Sequence, residues 1–205
     1  KYYYTFGPQE PALRLKPGDT LITETVDARG YDSSGNPILD EMKQKSEDTE
    51  YYPANPLVGP FYVEGADPRD TLVVQIKKII LNRETAWSRI HSNFGSLTEE
   101  VPGRRLLFNK PLDERYFPWK LDLEKNVAIL NLEKSKMNSI EVPLSPFIGS
   151  IGVAPRYGRI ETSLAPGEYG GNMDCVETKE GTILYLPVFV RGAHLAFGDI
   201  HAVQG

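Results

Sequence analysis

The chain has 205 residues, of which 40% are hydrophobic and 25% charged, the composition of a globular protein with room for a substantial core. Its formal net charge is −5 and no stretch is strongly basic, which argues against nucleic acid as the main partner. No apolar run approaches the roughly 20 residues of a membrane-spanning helix, and the single cysteine, Cys175, excludes an intrachain disulfide. We therefore expect a cytoplasmic protein whose partners include neither a membrane nor a nucleic acid.

The first half of the chain predicts short strands separated by turns. Residues 12–16 alternate apolar and polar side chains, as a half-buried strand does, and residues 20–26 are rich in β-branched side chains. The polar segment 27–52 follows as a long loop, and a β-prone triplet occupies 61–63. Residues 71–80 predict the clearest long strand of the chain.

The second half continues this pattern. Residues 82–125 give weak signals with room for a short helix, whereas plain strands are predicted at 127–132, 158–164, 182–190 and 193–197. The 18 glycines and 16 prolines are spread along the chain, which is typical of frequent chain reversal. These features predict an all-β protein built as a sandwich or a barrel.

The weakly patterned middle of the sequence indicates how the chain is divided. We expect residues 1–90 together with 181–205 to form a β-sandwich core. Residues 91–180 would then be a β-rich lobe inserted into a sheet whose last strands are those predicted at 182–190 and 193–197.

A glycine-rich turn carries two polar side chains near the end of the predicted lobe. Gly170 and Gly171 permit positive φ and close backbone approach, so the turn can aim Asn172 and Asp174 in a defined direction. The same pattern also occurs in ordinary tight turns that have no chemical role. Both interpretations are open at this point.

Asp199 and His201 follow the predicted strand 193–197. If that strand continues, the two side chains share one face, because strand side chains alternate with a period of two. A carboxylate and an imidazole so placed can hold one divalent ion or form an acid–base pair. A solvated sheet edge produces the same pattern by chance.

Four further residues are candidates for chemistry. Glu168 can serve as a general acid or base if the fold partly buries it. His194 lies in a predicted strand, where a structural role fits best, and His91 is isolated in sequence. Cys175 lacks the surroundings of a known cysteine nucleophile and fits a small buried apolar residue. The chain contains no nucleophile elbow, phosphate-binding loop, dinucleotide fingerprint or His-Glu-x-x-His motif.

Four motifs, in order along the chain, resemble the acetamidases and formamidases. They are residues 55–66 (Asn-Pro-Leu-Val-Gly-Pro-Phe-Tyr-Val-Glu-Gly-Ala), 146–155 (Pro-Phe-Ile-Gly-Ser-Ile-Gly-Val-Ala-Pro), 166–174 (Pro-Gly, then Gly-Gly-Asn-Met-Asp) and 198–205 (Gly-Asp-Ile-His-Ala-Val-Gln-Gly). Each motif is modest alone, but their order is kept over nearly the whole chain.

The resemblance implies a jelly-roll-like β-sandwich with additional β-rich elements. It also implies hydrolysis of a short carboxamide, of the acetamide or formamide type, to the carboxylate and ammonia by a metal-activated water. Zinc and calcium are the expected divalent metals, and a small amide is the expected partner. We further expect a homo-oligomer.

The residues carried over from the resemblance are those that the turn and strand patterns select. Asp199 and His201 are expected to hold the metal, with Asp174 as a third ligand or as the base that orients water. Asn172 and turn amides are expected to stabilise the developing oxyanion. Glu168 is not carried over from the resemblance and is our candidate for protonating the departing ammonia. The alternative is a non-catalytic β-sandwich that binds a small ligand and uses these residues as a structural metal site.

The chain departs from the family pattern in two ways. Tyr169 stands where many relatives have a histidine, which removes a polar ligand or marks a subgroup. Relatives also continue past the position of Gly205 with an acidic segment. The resemblance implies that an acidic residue of that continuation could belong to the active site. The chain would then be a truncated form, one product of cleavage or a fragment that needs a partner, and these alternatives are open.

Overall fold

The computed structural model describes residues 1–38, 54–90, 113–133 and 135–204. They form an all-β structure, which confirms the predicted fold class, with a single-turn 3₁₀ helix at Arg156–Gly158. None of the described segments forms a helix long and apolar enough to cross a bilayer. Residues 39–52 of the predicted loop and His91 lie outside the described residues.

The described residues form fifteen strands, numbered in chain order. They are β1 (Tyr2–Tyr3), β2 (Thr5–Phe6), β3 (Leu13–Leu15), β4 (Leu57–Val63), β5 (Thr71–Gln75), β6 (Thr85–Ile90), β7 (Arg115–Asp122), β8 (Val127–Asn131), β9 (Ser139–Pro143), β10 (Phe147–Gly152), β11 (Glu161–Thr162), β12 (Pro166–Gly167), β13 (Gly170–Asn172), β14 (Ile183–Pro187) and β15 (Leu195–His201).

The main sheet has seven strands in the order β1-β4-β15-β10-β13-β12, with β3 beside β4. Its pairings are antiparallel except that of β3 with β4. β4 and β10 are almost entirely buried because they consist of apolar and small residues, and they contribute Leu57, Phe61 and Ile151 to the core. β15 lies between them and is therefore covered by strands at both edges.

Smaller sheets accompany the main sheet. β2 pairs with β11, and β5 pairs with β14. In the β5–β14 sheet, Leu72 and Leu184 pack against the core, whereas the paired residues Val73 and Tyr185 are exposed, as the period-two alternation of strands requires. β6 to β9 form a four-stranded antiparallel sheet in sequence order.

The described chain divides into two compact units. The first unit contains Lys1–Asn82 and Ser145–Gln204, and the second contains Arg83–Leu144 with the sheet β6–β9. This division differs from the predicted lobe at 91–180. The reason is that residues after 144 supply β10, β12 and β13 to the main sheet, through long-range pairings that local patterning does not reveal.

Several predicted strands are present with changed ends. The strand predicted at 71–80 ends at Gln75, whereas the one predicted at 193–197 continues to His201. The strand predicted at 20–26 was wrong: Ile22 in this segment is 92% exposed, and β-branched residues form a strand only where a partner strand and a buried face exist. Four other predicted strands are present in shortened form: 12–16 as β3, 127–132 as β8, 158–164 as β11 and 182–190 as β14. The described parts of the weakly patterned segment 82–125 form β6 and β7.

Candidate metal centre

Asp174, Asp199 and His201 come together in the first unit, and their ligating atoms lie within 4.8 Å of one another. His201 Nε2 is 3.4 Å from Asp199 Oδ2 and 3.5 Å from Asp174 Oδ1. The side chains of Asp199 and His201 are 10% and 19% exposed, whereas that of Asp174 is 48% exposed. The structure thus assembles the three predicted metal ligands, and the group is most accessible to solvent at Asp174.

The central strands of the main sheet hold this group. β15 carries Asp199 and His201, and the His201 ring packs on Phe147 of β10 with 4.5 Å between ring centroids. Asp174 follows β13, and its backbone N–H donates to the Gly149 carbonyl oxygen at 3.1 Å. Asp199 has φ +54°, in the left-handed region, so its contact with His201 does not come from the regular strand alternation that the sequence suggested.

Glycine at position 149 leaves the space between the ligands open. A Cβ atom on Gly149 would lie 2.7 Å from Asp199 Oδ2 and 2.7 Å from His201 Nε2. These distances are far shorter than the 3.5–4.0 Å or so of favourable non-bonded contact, so a larger residue would displace both side chains. Gly149 therefore lies directly against Asp199 and His201, and its lack of a side chain keeps the space beside them free.

Asn172 of β13 links the two carboxylates. With its amide nitrogen turned toward them, it donates to Asp174 Oδ1 and Asp199 Oδ2 at 3.2 Å each, and to Ser150 Oγ at 2.7 Å. The opposite amide orientation accepts hydrogen bonds from Ser150 and Asn55 but places its oxygen against two carboxylate oxygens. Ionised carboxylates only accept hydrogen bonds, so the first orientation satisfies the group. Asn172 thus lies at the predicted site, with the carboxylates as its partners.

Asn55 also contacts this group, although no chemistry was expected of it from the sequence. Its side chain is buried just before β4, and its Nδ2 donates to Asp199 Oδ2 at 3.0 Å across 144 residues of sequence. The one available signal was its place in the family-like motif 55–66. A lone asparagine beside a proline has no spacing pattern that predicts such a contact.

Thr178 fixes the segment that follows Asp174 to the main sheet. This threonine is 1% exposed, and its hydroxyl group contacts the carbonyl oxygen of Ile148 in β10 and that of Cys175, the latter at 2.7 Å. The backbone N–H of Ile148 donates in turn to the Thr178 carbonyl oxygen at 2.9 Å. The segment is therefore attached to β10 on both sides of Cys175, through the Asp174 N–H before it and through Thr178 after it.

Burial and neighbouring charges shift the pKa values of Asp174 and His201. Burial and the charge of Asp199 raise the pKa of Asp174 above its ordinary value, although His201 opposes this. Burial lowers the pKa of His201, but the hydrogen bond to Asp199 and the charges of both aspartates outweigh it, so this pKa is raised. Two carboxylates this close repel each other, so the group favours a proton or a cation between them.

The donor set fits a zinc ion. Zinc binds carboxylate oxygen and imidazole nitrogen at about 2.0–2.2 Å, which separates the ligands of a tetrahedral ion by about 3.4 Å. The separations measured from His201 Nε2, 3.4 and 3.5 Å, have this size. Two carboxylates and one imidazole could together hold a divalent metal ion.

Two other residues named in the sequence analysis lie apart from the group. Glu168 forms ion pairs with Arg156 at 3.5 Å and Arg159 at 3.2 Å, and it is not among the clustered ligands. Tyr169 is a core residue, and its hydroxyl group donates to the Ala165 carbonyl oxygen at 3.1 Å. The structure therefore does not bring Glu168 to the metal ligands, and it gives Tyr169 a packing role.

His194 and Cys175 also have partners outside the group. The His194 ring is largely buried with its edge against Tyr62, at 5.5 Å between centroids. Cys175 Sγ donates to Glu177 Oε2 at 3.1 Å. The first contact agrees with the structural role expected for His194. Cys175 is only partly buried, unlike the small buried residue expected from the sequence, and the partner of its thiol is a carboxylate rather than an imidazole.

Known proteins resemble this chain over nearly its full length. The model of the Acetamidase/Formamidase family matches residues 7–162 and 159–205. A formamidase of Methylophilus methylotrophus is 23% identical over 238 aligned positions, which cover 97% of this chain and 57% of that protein. The chain therefore spans little more than half the length of this relative.

Solved structures share the fold. An acetamidase from Yersinia enterocolitica matches with a TM-score of 0.75 and 32% identity, covering 100% of this chain and 58% of that one. An acetamidase from Bacillus halodurans matches with a TM-score of 0.71 and 32% identity, covering 100% and 61%.

Proposed function

Because the chain belongs to the acetamidase/formamidase family, we propose that it hydrolyses short carboxamides, such as formamide and acetamide, to the carboxylic acid and ammonia. The observation that carries this proposal is the convergence of Asp174, Asp199 and His201, which come from two separate family-like motifs. The family membership supports the reaction class, and the three side chains support a metal-assisted route.

We assign the three side chains to a divalent metal, with zinc favoured by the imidazole ligand. A bound zinc ion supplies a Lewis acid that polarises an amide carbonyl group and makes a water molecule more acidic. Asn172 holds the two carboxylates in place through its amide hydrogens. Its predicted contribution to oxyanion stabilisation stays a prediction, because its observed partners are the carboxylates and Ser150.

Asp174 defines where the substrate approaches. Its side chain is half exposed beside two largely buried partners, so a small amide and water reach the group at this residue. If Asp199 and His201 alone hold the metal, Asp174 is instead the carboxylate placed to accept a proton from an attacking water. Glu168 is not assigned a step, because its carboxylate is engaged by two arginines.

The test is ammonia release from formamide and acetamide by the purified protein. We expect release that a chelator abolishes and that added zinc restores, and we expect Asp199→Asn to lose it. Zinc binding without ammonia release from a panel of short amides would favour the non-catalytic alternative. Ammonia release that is unaffected by both the chelator and Asp199→Asn would contradict the proposed site.

A further inference from the structure

Asn55 is a buried polar residue placed against the most enclosed carboxylate of the metal group. It is 8% exposed, and its Nδ2 donates to Asp199 Oδ2 at 3.0 Å. Burying an amide group costs free energy unless the group is hydrogen-bonded, and here the bond goes to a single carboxylate oxygen. The placement of Asn55 thus depends on Asp199, and the orientation of Asp199 depends on Asn55.

The backbone around Asn55 is fixed independently of this bond. Asn55 has φ +55°, a left-handed conformation that asparagine tolerates better than most residues, and its N–H donates to the Ala28 carbonyl oxygen at 2.8 Å. Pro56 follows and is fully buried. The side chain therefore projects from a rigid position.

Strand β15 approaches this position closely because residue 198 is glycine. A Cβ atom on Gly198 would lie 2.4 Å from the Pro56 carbonyl oxygen, so no other residue allows the same approach. Asp199 is the next residue in β15, and its carboxylate reaches the Asn55 amide. The close contact of the two backbones thus sets the distance between the two side chains.

The chemistry of the amide suits a metal ligand. Asp199 Oδ2 accepts from Asn55 at 3.0 Å and from Asn172 at 3.2 Å, and both donors are neutral. A lysine or arginine in their place would orient the carboxylate equally well but would cancel the negative charge that a cation requires. A neutral donor orients the carboxylate and preserves its charge, which is how hydrogen-bond partners support metal-binding carboxylates.

We propose that Asn55 is a positioning residue that holds the Asp199 carboxylate in its metal-binding orientation. This inference rests on the metal site proposed above. Asn55 acts through Asp199 and is not itself assigned as a ligand.

The test is calorimetric titration of the chelator-stripped protein with zinc chloride. Asn55→Gly keeps the left-handed backbone accessible and removes only the amide side chain, and we expect it to weaken zinc binding about 10- to 100-fold. Asn126→Gly is the matched control. Asn126 also has positive φ, at +58°, and donates through its side chain to a carbonyl oxygen, that of Leu144, in the second unit. Its zinc affinity should equal that of the wild type.

A second variant covers the case in which Asn55→Gly does not fold. Asn55→Asp has the same shape and tolerates the same backbone, but it places a carboxylate beside Asp199. We expect a lower melting temperature without metal and a larger rise on adding zinc than in the wild type, because the cation offsets the added charge. An equal rise in both proteins would overturn the inference.

The outcomes separate the inference from the proposed function. A wild-type protein that binds no zinc contradicts the proposed metal site. A wild type that binds zinc, with an Asn55→Gly variant of equal affinity, contradicts the positioning role alone.

Discussion

Gly149 is the residue whose substitution tests the site most locally. In Gly149→Ala the new Cβ would lie 2.7 Å from ligating atoms of both Asp199 and His201. Overpacking of this kind costs about 1–3 kcal/mol, so we expect zinc affinity to fall about tenfold or more. The measurement is zinc titration calorimetry on the folded variant.

Gly152→Ala is the control for this substitution. A Cβ atom on Gly152, also in β10, would lie 2.7 Å from the Tyr169 carbonyl oxygen and 2.8 Å from the Gly171 backbone nitrogen. No atom of Asp199 or His201 is among its nearest neighbours. It should destabilise the protein without a specific loss of zinc affinity. Equal zinc affinities of Gly149→Ala and the wild type would contradict the geometry of the site.

Cys175 is expected to be dispensable. Its thiol donates to Glu177, and the proposed chemistry uses no thiol. Cys175→Ala should change the free energy of unfolding by less than about 0.5 kcal/mol and keep most of the ammonia release. Complete loss of ammonia release in a folded Cys175→Ala protein would indicate a covalent mechanism instead.

The sequence allowed a partial prediction of the site at the residue scale. Asp174, Asp199 and His201 were predictable because each belongs to a local pattern of chemically distinctive residues. Asn55 and Gly149 were not, because the contact of Asn55 spans 144 residues and the role of Gly149 is the space it leaves. Glu168 was selected for its type and neighbours in sequence, but two arginines hold it elsewhere.

At the scale of elements, the attachment of the segment after β13 to β10 positions Asp174. Thr178→Val keeps the side-chain shape and removes the hydroxyl group that contacts the carbonyl oxygens of Ile148 and Cys175. Loss of such a buried hydrogen bond costs about 1–3 kcal/mol. We expect a lower free energy of unfolding by urea denaturation, together with weaker zinc binding.

Thr182→Val provides the comparison for the Thr178 substitution. The Thr182 hydroxyl group also donates to a backbone carbonyl oxygen in this segment, that of Glu177, but at an exposed position. Its loss should change zinc binding little. Equal effects of the two variants would show that the buried attachment of Thr178 has no special role.

Element boundaries show where local patterns are insufficient. The strands predicted at 127–132 and 193–197 are present as β8 and β15, because apolar residues cluster there and find partners in neighbouring strands. The segment 20–26 has similar β-branched residues and forms no strand. The difference is the presence of a paired and buried face, which is a property of the tertiary structure.

At the scale of the whole molecule, His194 makes stability depend on pH. Burial lowers the pKa of this histidine, a hydrogen bond from its ring to the Gln9 backbone opposes the effect, and the charge of Arg14 adds to it. Because the pKa is lower in the folded state, the unfolded chain binds more protons. The stability that goes with the neutral, buried imidazole is therefore fully present above about pH 6.5 and is lost as the pH falls below this value.

His194→Phe removes this titration and keeps an aromatic ring beside Tyr62. The wild type should lose more unfolding free energy than the variant between about pH 7.5 and about pH 5.5. At the lower pH, unfolding of the wild type exposes an imidazole that then binds a proton, which stabilises the unfolded chain, and the variant has no imidazole at this position. Urea denaturation of both proteins measures the difference. An identical loss in the two proteins would refute the contribution of His194.

The all-β class was predictable because turn residues and β-branched runs recur along the whole chain. The sheet order and the two units were not, since β15 pairs with β4 and β10 from distant parts of the sequence. These long-range pairings also bring Asp174, Asp199 and His201 together. The proposed metal site is therefore a product of the fold and not of any one segment.

Zinc-edge anomalous diffraction from crystals of the zinc-loaded protein locates the bound ion. We expect a strong anomalous peak within about 2.0–2.2 Å of ligating atoms of Asp174, Asp199 and His201, and the loss of this peak in His201→Ala. Zinc bound elsewhere in the protein, with no peak at these three residues, would contradict the proposed metal site.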